Sequence, residues 1–218
     1  MSALIKKELR LCIHPTVFLF FSFSALVFVP NYPYEVIFFF SALSAYFCCI
    51  SARENGDLAF TGALPVKKTH IPLARILVTV GMQCIMLALT GILGAVKSAA
   101  LPAEQQINQA GLSANLALVG NGAAILGAFN LVFFPLFYRS PERIGVPFLL
   151  AAAVQFLLVG AFLLLRWSVP LFSETLNGGN ADHTAAKAAA MFTGLAVYAA
   201  ATSLSCFFSM RNFKRVDL

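Results

Sequence analysis

The sequence predicts an all-α polytopic membrane protein with about six transmembrane helices, both termini cytoplasmic and a short N-terminal interfacial helix. Three observations carry this. Of 218 residues, 60% are hydrophobic and 11% charged, against about 45–50% and about 25% in soluble domains. Six apolar runs follow one another, at 15–30, 35–52, 72–96, 116–138, 146–165 and 188–210, and most approach the roughly 20 residues that a crossing needs. The 15 basic residues are placed asymmetrically: all but Lys97, Arg166 and Lys187 fall on one side of the alternating runs. The positive-inside rule makes that side cytoplasmic. The loops near Asn108 and Asn180 then lie outside. The whole chain, 1–218, reads as one transmembrane domain.

Each element follows from its residues. In 1–14, Leu4, Ile5, Leu9, Cys12 and Ile13 recur at helical spacing, with Lys6, Lys7, Glu8 and Arg10 between them. This suits a helix lying in the membrane interface; a frayed basic tail is the alternative. No small-residue cleavage pattern follows, so the segment reads as retained rather than as a signal peptide. Run 15–30 is short for a crossing. The connection 53–71 is the most polar long stretch. Glu54 and Asp57 head it, and Leu58, Phe60, Ala63 and Leu64 are apolar. Pro65 stops any helix by pushing Leu64 toward extended geometry. Lys67, Lys68 and Arg75 follow at the lipid boundary, and Pro72 suits the first turn of the third span. A short interfacial helix and a turn would serve a cytoplasmic partner as a docking knob; a solvated loop with a basic anchor is the alternative. In the later spans, Gly120 with Ala124, Ala123 with Gly127, and Ala186, Ala190 and Gly194 allow close helix approach, within one chain or between two.

Several function classes are excluded. "GALPVKKT" resembles a phosphate loop only superficially. Lys67 stands where the second glycine is needed, and Pro65 removes an amide donor. The net charge of +6 is spread over four short segments, so it marks topology and no nucleic-acid surface. The five cysteines lie in spans or at their cytoplasmic ends and imply no disulfide. His14, His70 and His183 are too scattered for a metal site. No catalytic constellation is visible, so no enzyme centre is expected. The span interiors are expected to carry no ionisable group, which an ion-coupled transporter needs. Only the amides Gln83, Asn121, Asn130 and Gln155 lie at depth. They either bond helix to helix or line a translocation path.

"ENGDLAFTGALPVKKTHIPLAR" resembles the signature of type-2 ABC transporter permeases of the small bacterial kind. Glu54, Leu64, Pro65, Val66, Lys67 and Arg75 carry the match. "FFPLFYRSPER" is similar to the family's turn between spans four and five, through Pro135, Tyr138, Arg139 and Glu142, and the initial "IKKELRL" fits too. Pro141 departs from the glycine-containing turn of the family. The resemblance implies one six-span half of a dimer with a second permease copy or homologue, in the lipid of a bacterial plasma (inner) membrane. It implies docking of cytoplasmic ABC ATPase subunits through Glu54, Asp57, Phe60, Leu64, Pro65, Lys67 and Lys68, with a second cytoplasmic turn at Arg139, Glu142 and Arg143. ATP and Mg would belong to the partner ATPase, and this chain would bind no cofactor. The implied cargo is an amphipathic or hydrophobic molecule such as a peptide, lipid or antimicrobial. A non-transporting membrane scaffold or assembly factor is the alternative.

Overall fold

Hydrophobic runs become helices because lipid offers no partner to a backbone amide or carbonyl, and a helix satisfies both internally. The computed structural model describes residues 1–178 and 183–216; Asn180 lies outside the described residues. The described residues form helices and one isolated bridge, Ile107 to Ser113. Helix α1 (Ser2–Lys7) continues into a π-helical turn, Glu8–Cys12. Helix α2 (Thr16–Ser22) tightens into a 3-10 turn, Phe23–Phe28. Then come α3 (Ile37–Glu54), α4 (Asp57–Gly62), α5 (His70–Ala100), α6 (Ala103–Gln106), α7 (Leu116–Phe137), α8 (Gly145–Ser168) and α9 (Thr184–Phe213). Among the described residues, five helices are long and apolar enough to cross a membrane. The pair Ser2–Cys12 and Thr16–Phe28, bent by 84°, makes a sixth if it counts as one span.

The first run is α-helical only as far as Ser22 and 3-10 beyond it. Ser22 Oγ donates to Leu19 O and Ser24 Oγ to Phe21 O, each three residues back. Such back-bonding competes with regular α-helical bonds. Thr16–Phe28 then reaches only about 22 Å, short of a hydrocarbon layer of about 30 Å. Rings hold it against α3: Phe23 and Phe40 lie 4.4 Å apart, centroid to centroid, and Phe20 and Phe47 5.8 Å. In contrast, α5 has 31 residues, about 46 Å, and overreaches the bilayer.

Helix α7 is the most enclosed span and α8 the least. The Asn115 side chain caps α7, accepting from the amides of Ala117 and Leu118. Helix α9 runs parallel to α7 along its length. Gly120 meets Gly194, Asn130 meets Thr202, and Asn212 Nδ2 donates to Pro135 O at 2.8 Å. A Cβ on Gly194 would collide with the Gly120 backbone, and one on Gly127 would come 2.9 Å from the Cα of Tyr198. The small-residue faces at Gly120, Gly127 and Gly194 therefore pack helices of the same chain. All five cysteines are free thiols.

Candidate coupling site

The link from α3 to α4 is two residues, Asn55 and Gly56, with Gly56 at φ +62°. Only a residue tolerant of left-handed backbone reverses the chain so sharply. The reversal points Asp57, in the first turn of α4, inward. There it meets the interfacial helix and the second turn of α5. Lys7 Nζ contacts Asp57 Oδ1 at 2.7 Å and Glu8 Oε1 at 2.8 Å. Arg75 contacts Glu8 through Nε at 2.9 Å and Asp57 through Nη2 at 2.6 Å. Lys7 Nζ also donates to Thr61 Oγ1, one turn along α4. Two acids and two bases thus join α1, α4 and α5. Arg75 is 2% exposed and Asp57 7%.

This corrects one expectation. Asp57 is a buried internal partner and no exposed acidic rim residue, because the Gly56 reversal turns it toward Lys7. Arg75 lies in the second turn of α5 beneath the interfacial helix and is buried. The charged side chains of the span helices all sit near helix ends, in keeping with span interiors that carry none. At the end opposite the Arg75 cluster, Arg166 of α8 pairs with Glu35 at 2.9 Å. Lys97, in the last turn of α5, donates to Val27 O and Tyr34 OH, and the buried Lys187 of α9 donates to Gly178 O.

The electrostatics of the cluster balance. Burial pushes the Glu8 carboxyl up, but Arg75 and then Lys7 overcome this and hold it below its ordinary value. Asp57 is likewise pushed up by burial and pulled further down by Lys7 and Arg75. Burial pushes the Cys12 thiol up to about 12. Glu8, Cys12 and Asp57 offer ligand atoms within 4.8 Å of one another. They do not fit a metal ion, because both carboxylates already face cations.

The other side of α4 faces outward. Phe60 is 63% exposed and Leu64 38%, and Glu54, Pro65, Lys67 and Lys68 are exposed as well. Phe60, Leu64, Pro65 and Lys67 line a groove of about 400 Å³ with Met1 and Leu4 of the interfacial helix. The second turn adjoins α4 on its other flank. Arg139, Glu142 and Arg143 are exposed there, and Arg53 Nη1 donates to Glu142 O at 3.3 Å.

The deep amides separate into two kinds. Gln83 and Asn130 exchange two hydrogen bonds of 2.8 Å. Tyr198 OH donates to Gln83 Oε1 and Asn130 Nδ2 donates to Thr202 Oγ1. This fully buried knot ties α5, α7 and α9, so its donors and acceptors serve helix packing. Gln155, also fully buried, leaves both amide atoms without a partner among the described residues. Asn121 is half-buried.

Sequence reading missed Glu8 and Arg75 as a pair. Two signals were present: a lone acid among the bases of the first helix, and a cation inside an apolar run, which by default marks function.

Long apolar helices joined by short basic turns, with one amphipathic segment pinned by buried charge, define a multi-pass membrane protein. A family model described as "ABC-2 family transporter protein" matches residues 3–214, nearly the whole chain, and the chain belongs to that family. No curated protein and no solved structure matches it.

Proposed function

We propose that the chain is the permease subunit of an ABC transporter in a bacterial plasma membrane, working as a dimer with a second permease. It exports an amphipathic or hydrophobic molecule with energy from a separate ATPase, which holds the ATP and Mg. Family membership supports the ATPase partnership. The single observation that supports the mechanism is the two-sided character of α4. Its outer face offers Phe60, with Leu64 just past its C-terminus, while its inner face is fastened through Asp57 to Arg75 of α5. A push on the knob is therefore delivered to a helix that crosses the whole bilayer.

Truncating a buried apolar anchor at an interface costs roughly 2 kcal/mol or more. Phe60→Ala with Leu64→Ala should release the ATPase or uncouple hydrolysis from transport while membrane insertion persists. The check is copurification of the ATPase together with transport by reconstituted vesicles. Full partner binding and full transport by the double variant would reduce this segment to an anchor and favour a scaffold. The purified chain alone should show no saturable ATP binding, since Lys67 and Pro65 spoil the one loop-like match. The orientation follows the charge asymmetry: tags at either terminus should be shielded in intact cells, and a tag near Asn108 should be reachable.

A further inference from the structure

Four arginines gather where α7 turns into α8. Arg139 lines three adjoining grooves. In the first, of about 180 Å³, it is joined by Arg143 above Leu136, Val146 and Leu150. The second, of about 560 Å³, adds Arg53 and also Glu142. The third, of about 500 Å³, adds Arg215. Among the described residues none of these four arginines is in an ion pair. Glu142 leaves the second groove with three arginines to one acid, and its carbonyl, held by Arg53, fastens the turn.

The lower wall of the first groove has the opposite character. Val146 is 62% exposed and Leu150 48%, both on α8, the least enclosed span. The groove therefore straddles a boundary, with unpaired guanidinium groups at its rim and bare aliphatic surface running down into the span. A soluble protein matches the rim but not the wall. A molecule with an anionic head and apolar tails matches both. Guanidinium groups suit phosphate oxygens because their planar donors bond two at a time. Basic pockets at the cytoplasmic ends of spans are sites for anionic headgroups.

We propose that this groove binds an anionic phospholipid, with its phosphate held by Arg139 and Arg143, flanked by Arg53 and Arg215, and its acyl chains along Val146 and Leu150 of α8. The adjoining second groove, which shares Arg139 and Arg143, is lined by Gly56 and by Leu58 and Ala59 of α4, so the headgroup would lie next to the flank of the coupling knob opposite the interfacial helix.

The test is native mass spectrometry of the full chain after exchange against vesicles of phosphatidylglycerol mixed with equal phosphatidylcholine. The chain should retain phosphatidylglycerol preferentially. R139Q with R143Q should weaken that retention about 30-fold, and R211Q with K214Q, which removes the same charge from exposed positions outside these grooves, by less than about threefold. R139K with R143K, keeping charge without the fork, should fall between. All these side chains are exposed, so the melting temperature should hold and certify folding. Equal loss in both Gln pairs would make the attraction diffuse surface charge and overturn the site. Displacement of the lipid by millimolar inorganic phosphate would show that phosphate alone is recognised and overturn the lipid assignment. Undiminished lipid retention in R139Q with R143Q, accompanied by loss of the ATPase, would make the groove a protein contact and overturn the proposal.

Discussion

At the basic end of the bundle Arg75 is held by two carboxylates, and at the opposite end Arg166 is held by one. In the first cluster each acid touches both Lys7 and Arg75, and three separate elements meet. In the second, one contact of 2.9 Å joins α8 to the start of the α3 span. Among the described residues, Glu35 Oε2 and Arg166 Nη1 are left without hydrogen-bond partners there. Burying charge is costly, and attraction offsets that cost only when the geometry is well satisfied. The first site meets this condition for both its acids, though Arg75 Nη1 remains unpartnered. The second meets it poorly. The difference separates a well-satisfied joint between α1, α4 and α5 from a less satisfied latch between α8 and the start of the α3 span.

The largest effect should come from opening the joint. Arg75→Ala leaves two buried acids facing Lys7 alone and should cost about 3–5 kcal/mol, read as a large fall in the melting temperature of the purified chain. If Arg75→Ala melts like the parent, the cluster is not holding these elements together.

Acid should do the same more gently. The folded state holds the Glu8 and Asp57 carboxyls below their ordinary values of 4.5 and 3.8. Folding therefore favours their ionised forms. That stability is fully present above the ordinary values and is lost as the pH falls through the lower folded-state ones. Melting temperature followed from neutral pH downward should drop in that acid window, and Arg75→Ala should remove most of the drop.

Much of this fold was legible in the sequence, for a physical reason. Lipid demands long apolar stretches, so spans announce themselves locally, and Lys and Arg mark one side. Phe60, Leu64 and Pro65 were likewise readable as an exposed knob from local pattern alone. The joint was not. Glu8 and Arg75 lie 67 residues apart, and nothing in the periodicity of either segment says that their faces meet. Asp57 looked like an exposed acid because the inward turn at Gly56 is a backbone event that composition does not display. The amides were legible only as a class; which were satisfied depended on the parallel pairing of α7 with α9.

Smaller effects sharpen the contrast. Gln155 is buried with neither amide atom bonded, so Gln155→Leu should raise stability by about 1 kcal/mol. A lower melting temperature would mean that the amide has a partner in the membrane. For the latch, Glu35→Gln together with Arg166→Met removes both charges and should leave stability within about 1 kcal/mol of the parent. A larger loss would make the far end as firmly held as the joint.

The central claim is that α4 and α5 move as one body while the far end opens. The direct measurement is a pair of spin-label distances in the assembled transporter, with and without a non-hydrolysable ATP analogue. Unnatural-amino-acid labels avoid the exposed Cys84. One pair joins Ala59 to Leu77 across the joint, and the other joins Val29 to Trp167 across the latch, all four exposed positions. The first distance should hold to within about 2 Å while the second changes by more than that. A joint distance that shifts with nucleotide while the latch stays fixed would contradict the account.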